Sequence, residues 1–250
     1  MGEAKQRQLY GATSTPKMTK PGSLKREISA QAVWLIVVVI IFLIIRTFII
    51  QPFNVPSSSM YPNLLIGDIE IVTKWNYGFS KASLPFGHPM PTDGQFFGHL
   101  PRRGDVIVFR WANNTQESWV KRVIALPGDT IMVDDGIPEL IGQTPTIVID
   151  THRSFPCATD LCKIYKETIP GGQPHLIALD PSRPLNRYMP AITIPPGMLF
   201  VMGDNRDDSA DSRVAWSNGG AGLVPLANVE GKDALVIFNV VNPEHSFTIP

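Results

Sequence analysis

The sequence predicts an all-β domain with a β-rich insertion, joined to a single N-terminal apolar helix. Three observations predict it. Residues 32–50 form one apolar run interrupted only by Arg46. Beyond it, short β-branched and aromatic segments recur between Gly, Pro and Asp. Helical periodicity is scarce after residue 51.

The first element is a polar stretch, residues 1–30, with Lys5, Arg7, Lys17, Lys20, Lys25 and Arg26 against Glu3 and Glu27. The run "AVWLIVVVIIFLIIRTFII" follows, and at 1.5 Å per residue it reaches roughly 28 Å, about the thickness of a bilayer's hydrocarbon core. Arg46 stands near its far end, where a long side chain can snorkel to the headgroups. The excess of basic residues before the run places that end in the cytoplasm and the rest of the chain outside it. The expected organisation is a cytoplasmic tail (1–30), a single-pass anchor (31–51) and an exported domain (52–250). A cleaved signal peptide is the competing reading, since Ala32 to Ile45 has the length of its apolar core. The long tail, the apolar residues beyond Arg46, and Pro52 and Pro56 beside any cleavage point speak against it. A buried core helix would need a wet face, which this run lacks. "GMLFVMG" and "ALVIFNVV" are too short to span, so one crossing is expected.

Strands are predicted at 68–74, 104–111, 118–126, 129–135 and 233–240. Two segments interrupt them. Residues 77–101 form a Gly/Pro-rich connection whose Phe79, Phe86, Phe96 and Phe97 either pack beneath it or dip into a membrane interface. Residues 136–197 read as an insertion of poorly regular β structure with pieces such as "TIVID" and "HLIALD". Cys157 and Cys162 lie in it. Outside the cytoplasm a local disulfide is their default state, and a metal site would want further ligands. With 22 basic and 22 acidic residues the chain has no net charge, so no nucleic-acid partner is expected.

Chemistry concentrates in three segments. "NVPSSSMYPNLLIGD" (54–68) puts three serines just past the apolar run, as a polar turn or as a nucleophile held near a bilayer. Histidine is an unpromising base. His88, His99, His152, His175 and His245 all sit in loop-like sequence, none in an expected strand, and no GxSxG elbow is present. No HExxH-like spacing suggests a metal or other cofactor. In "SWVKRVIALPGD", Lys121 interrupts an apolar strand. Either it reaches an edge or an ion pair, or its ammonium is desolvated. Bringing its pKa near 7–8 takes roughly 3–4 kcal/mol of environment and yields a neutral base. "GDNRDDSADSR" (203–213) is a solvated acidic turn or a hydrogen-bonded network around a site; its spacing is not that of a calcium loop.

In this order after an apolar anchor, "PSSSMYP", "KRVIALPGD" and "GDNRDDSADSR" give a chain that resembles the bacterial type I signal peptidases, membrane-bound proteases with a Ser-Lys dyad. The resemblance runs from the anchor to the last strand. It implies Ser59 as nucleophile, Lys121 as general base, Ser57 as an oxyanion donor beside the Ser59 N–H, and Ser209 as the residue orienting the lysine. Arg122, Asp204, Asp211 and Arg213 match charged positions that support the site. Many relatives have another transmembrane segment before this one; this chain lacks it. The implied substrates are exported preproteins cleaved after small-x-small sequences. Membrane lipid and the secretion translocon are the implied neighbours, and the bacterial cytoplasmic membrane the implied location. No cofactor is implied. A specialised peptidase of a conjugation or pilus system and an inactive membrane-tethered scaffold are the alternatives. A self-cleaving Ser-Lys repressor does not suit the apolar run.

Overall fold

The computed structural model describes residues 21–78, 98–157, 161–239 and 241–250, with side chains for all but 21–28, 30 and 47. Phe79, Phe86, Phe96 and Phe97 lie outside the described residues. The chain divides into two units, 1–43 and 44–250.

Helix α1 spans Pro21–Phe48. A proline opens it without cost, because the first N–H of a helix has no partner anyway. From Gln31 to Arg46 every side chain is exposed, so none of its apolar faces is claimed by a core. Among the described residues no helix is long and apolar enough to cross a membrane. The helix stops short of residue 51, where the apolar run suggested its end. Pro52 cannot continue it, and Ile50 and Gln51 already belong to a strand.

The strands are β1 (Ile50–Asn54), β2 (Asp68–Thr73), β3 (Val106–Trp111), β4 (Asn114–Ala125), β5 (Thr130–Asp134), β6 (Ile137–Leu140), β7 (Ile147–Pro156), β8 (Leu161–Thr168), β9 (His175–Leu179), β10 (Met189–Thr193), β11 (Met198–Met202), β12 (Val224–Pro225) and β13 (Val229–Asn239). A seven-stranded sheet runs β1-β2-β13-β3-β4-β11-β12, with two three-stranded sheets, β10-β5-β6 and β7-β8-β9. Pro52 sits in β1 at the edge of the large sheet, where a missing N–H costs no ladder bond.

The insertion is more regular than its sequence suggests. Between residues 136 and 197 lie β6 to β10, including the complete β7-β8-β9 meander. Most of β7 is exposed on both faces, so it shows no apolar alternation to read. Two histidines also turn out to lie in strands, His152 in β7 and His175 in β9, against the loop placement expected of them.

Strands β4 and β11 are covered on both faces, which is why they read as continuous apolar runs. On one side Ile107, Phe109, Val123, Leu199 and Val201 pack with Tyr77 and Val229. On the other, Ile124, Ala125, Phe200 and Met202 pack with Ile131, Val133 and Ile194. A third cluster, Val55, Met60, Leu64, Val106 and Val236, lies around the turn that follows β1. That turn carries Ser59.

Candidate active site

Met60 and Leu64 are fully buried, and they fasten the serine turn to the domain. The backbone closes on itself there: Tyr61 N–H donates to Ser58 O at 3.0 Å, and Leu64 N–H to Met60 O at 3.0 Å. Ser59 is thus placed by its neighbours' burial and by local turn bonds.

Lys121 comes from β4, opposite Ile107 of β3. Its side chain is almost closed to solvent, and Nζ donates to Ser59 Oγ at 2.7 Å and to Val120 O at 2.9 Å. The ammonium lies 5.7 Å from the Trp119 ring centroid. Burial lowers its pKa, the charges of Asp211 and Asp204 partly restore it, and it settles at about 8. Of the two readings open in the sequence, desolvation is the one realised.

The other serines divide. Ser57 Oγ is 3.3 Å from Ser59 Oγ. Ser58 Oγ turns away and donates to Asp208. Ser209 is buried, but its Oγ has no hydrogen-bond partner among the described residues, so the bond to Lys121 that the resemblance suggests is not formed. Ser209 packs instead over Gly203, where a Cβ would collide with Ser209 Oγ and with the Ser59 carbonyl. Only glycine lets these segments meet.

The 203–213 segment is a network. Asp204 takes both arms of Arg122, from Nε at 2.8 Å and Nη2 at 2.7 Å, with Asn63 Nδ2 at 2.7 Å on the same carboxylate. Asp211 takes Arg213 Nε and Nη2, each at 2.8 Å, and Gly203 N–H at 2.9 Å. Burial raises the Asp211 pKa, but Arg213 and the donated hydrogen bonds outweigh it and leave it lowered. Asn205 N–H donates to Ser59 O at 3.1 Å, and Asn205 Nδ2 to Ser58 O at 3.2 Å. The structure therefore brings Arg122 and Asp204 together beside the dyad, and Asp211 with Arg213 one step behind.

Sequence reasoning missed a buried group behind this network. Arg206, from the same segment, reaches Glu167 of β8 with both Nη atoms, and His175 Nε2 lies 3.0 Å from Glu167 Oε2. Strict alternation from Cys162 and Ile164 would have turned Glu167 outward. A register irregularity in β7 between Asp150 and Arg153 accompanies the change of phase. The sulfurs of Cys157 and Cys162 are bonded, with Cα atoms 5.6 Å apart.

Ser59 and Lys121 open onto a cleft of about 590 Å³ whose walls include Phe53, Pro56, Glu70, Val108 and Trp119. Strand β4 pairs with β11 only from Arg122 onward, so residues 117–121 keep a backbone edge that β11 leaves uncovered.

Fold and site define a class: a mainly β protein in which a buried lysine, not a histidine, meets a serine hydroxyl at the wall of a cleft. Residues 28–238 match the family described as signal peptidase, peptidase S26. The chain belongs to that family. It is similar to a signal peptidase I from Rickettsia conorii, 36% identical over 81% of this chain and 76% of that one. The corresponding protein of Rickettsia typhi is 36% identical over 81% and 77%. A crystal structure of a signal peptidase I from Enterococcus faecalis overlaps 54% of this chain and 97% of that one at 24% identity, with a TM-score of 0.30, too loose to bear on the fold.

Proposed function

We propose that this peptidase removes signal peptides from exported preproteins with Ser59 as nucleophile and Lys121 as general base. The observation that carries the reading is the 2.7 Å approach of a desolvated lysine amine to a serine hydroxyl, at the wall of a cleft, in a chain of the signal peptidase family.

Neutral Lys121 takes the Ser59 proton as Oγ bonds to the scissile carbonyl carbon. The oxyanion is held by the Ser59 N–H and the Ser57 hydroxyl, each donor worth about 3–4 kcal/mol. Collapse breaks the C–N bond, and Lys121 returns the proton to the leaving amine. Lys121 then deprotonates a water that adds to the ester carbonyl, and it gives that proton to Ser59 Oγ as the C–O bond breaks and the signal peptide leaves. Arg122, Asp204, Asp211 and Arg213 act as supports, fixing the lysine strand and the 203–213 segment against the serine turn. Ser209 Oγ, buried and unbonded, is the group that would turn toward Lys121 when the amine becomes an acceptor.

The substrate binds extended, adding its backbone to the free edge of β4 at residues 117–121. Small side chains at −1 and −3 suit it, since both then face the protein. Residues 31–51 serve as the single-pass anchor in the bacterial cytoplasmic membrane, with 1–30 on the cytoplasmic side and 52–250 outside. Nine residues separate Ile50 from Ser59, at most about 30 Å of chain. The nucleophile is therefore tied to the membrane surface, where the end of a preprotein's apolar segment also lies. Lipid and the secretion translocon are its natural neighbours. The test is incubation with a preprotein carrying an Ala-x-Ala site, followed by N-terminal sequencing of the product. A single new N-terminus directly after that site supports the reading, and an intact preprotein overturns it.

A further inference from the structure

Glu70 is an anomaly in the cleft. Strand β2 turns Asp68, Glu70 and Val72 to the same buried side. Glu70 is 1% exposed, yet it is part of the wall shared with Ser59 and Lys121. It lies between Phe53 of β1 and Val236 of β13, and Val72, two residues on, faces Asp233. Glu70 and Asp233 are thus neighbours on one face, and Asp233 is 3% exposed. Glu70 Oε2 and both Asp233 oxygens are sealed from solvent, with the two carboxyls hydrogen-bonded to each other and the Ala234 and Leu235 N–H groups turned to Asp233. Two buried carboxyls here cost stability that an isoleucine, like Ile69 or Ile71 beside it, would not.

We infer that Glu70 is a specificity-determining residue, offering a hydrogen-bonding carboxyl to the −3 side chain of the bound preprotein and favouring a hydroxyl there over an apolar side chain of the same shape. This rests on the reading of the cleft as the peptide site. In an extended peptide the −1 and −3 side chains point the same way, and with −1 at the dyad the −3 side chain is the next to meet the wall. Burial pushes the Glu70 pKa up, and the charges of Asp233 and Asp68 push it further. Burial also raises Asp233, while Glu70 and Arg122 pull it back. Glu70 is therefore the member that keeps a proton, and a neutral carboxyl can both donate and accept.

Threonine and valine have nearly the same shape, so a pair of preproteins differing only in Thr or Val at −3 isolates the hydrogen bond. The full chain in detergent should cleave the Thr form with a kcat/KM about tenfold higher. Glu70→Gln should keep that preference, since an amide also donates and accepts. Glu70→Leu should abolish or invert it. An equal Thr/Val ratio in wild type and Glu70→Leu overturns the inference. Should Glu70→Leu fail to fold, the wild type decides alone, because a ratio near one is then sufficient to overturn it. Failure of the wild type to cut either preprotein overturns the peptidase reading and this inference together, whereas cleavage with a flat ratio overturns only this one.

Discussion

Lys121 Nζ and Ser59 Oγ meet at 2.7 Å although their residues are 62 positions apart, and the lysine is almost closed to solvent. Ser59→Ala and Lys121→Ala should each abolish preprotein cleavage with the β domain still folded by circular dichroism. Lys121→Arg should be equally inactive, because a guanidinium keeps its proton at any usable pH. Measurable turnover by Lys121→Arg would remove lysine from the base role.

As the proposed base, the lysine should set the pH profile. With a pKa of about 8, roughly one Lys121 in ten is neutral at pH 7. The value of kcat/KM should rise about tenfold per unit below pH 8 and level off above it. Stability follows from the same lowered value. Below about 8 the folded state must hold a buried ammonium, and between about 8 and 10.5 the unfolded chain binds the proton that the folded chain has lost. Stability therefore rises with pH through that window. Lys121→Met should raise stability at neutral pH by up to about 3 kcal/mol, with the gain vanishing near pH 10.5. Denaturant titrations at pH 7 and pH 10 check both signs.

Adjacent serines should behave oppositely. Ser57 Oγ stands beside Ser59 Oγ, while Ser58 Oγ is engaged with Asp208. Ser57→Ala should lower kcat about 10²–10³-fold with little change in KM. Ser58→Ala should be nearly silent. Steady-state kinetics on one preprotein separates them, and the reverse pattern would put the oxyanion elsewhere.

The serine turn, the lysine strand and the acidic segment were legible because each breaks a rule of its surroundings. Serines crowd the end of an apolar run, and one lysine interrupts an apolar strand. Ser209 was legible as a residue but not in its contacts, because a buried hydroxyl's partner depends on packing that no spacing encodes. Glu70 was hidden because alternation with Ile69 and Ile71 would have turned the acid outward, and its place in the cleft required the fold. Glu167 was hidden by a change of phase in β8. The regular ladders of 136–197 were hidden by β7, whose exposed faces carry no apolar period.

Acid should unfasten the 203–213 segment from behind. Burial pushes Glu167 up, but Arg206 and His175 overcome it and hold its pKa at about 2. This carboxylate contributes stability that is present above about 4.5 and lost as pH falls through about 2, in all about 3 kcal/mol. Glu167→Gln leaves Arg206 buried without its charge partner and should cost about 3–5 kcal/mol at neutral pH. Chemical denaturation from pH 7 down to pH 2 should show the mutant's deficit shrinking across the acid range. A constant deficit would mean the pair is not ionised as described.

The bonds from Asn205 to the carbonyls of Ser58 and Ser59 tie the serine turn to a segment made much later. A ribosome releases Ser59 on the order of ten seconds before Asn205, at typical rates of about 5–20 residues per second. Lys121 arrives in between, as a lysine with nothing yet to bury it. During that interval the serine is an ordinary hydroxyl on an unfinished chain. The proposed Ser59–Lys121 pair is therefore assembled only by the chain's own completion. A chain truncated before Gly203 should therefore cleave no preprotein.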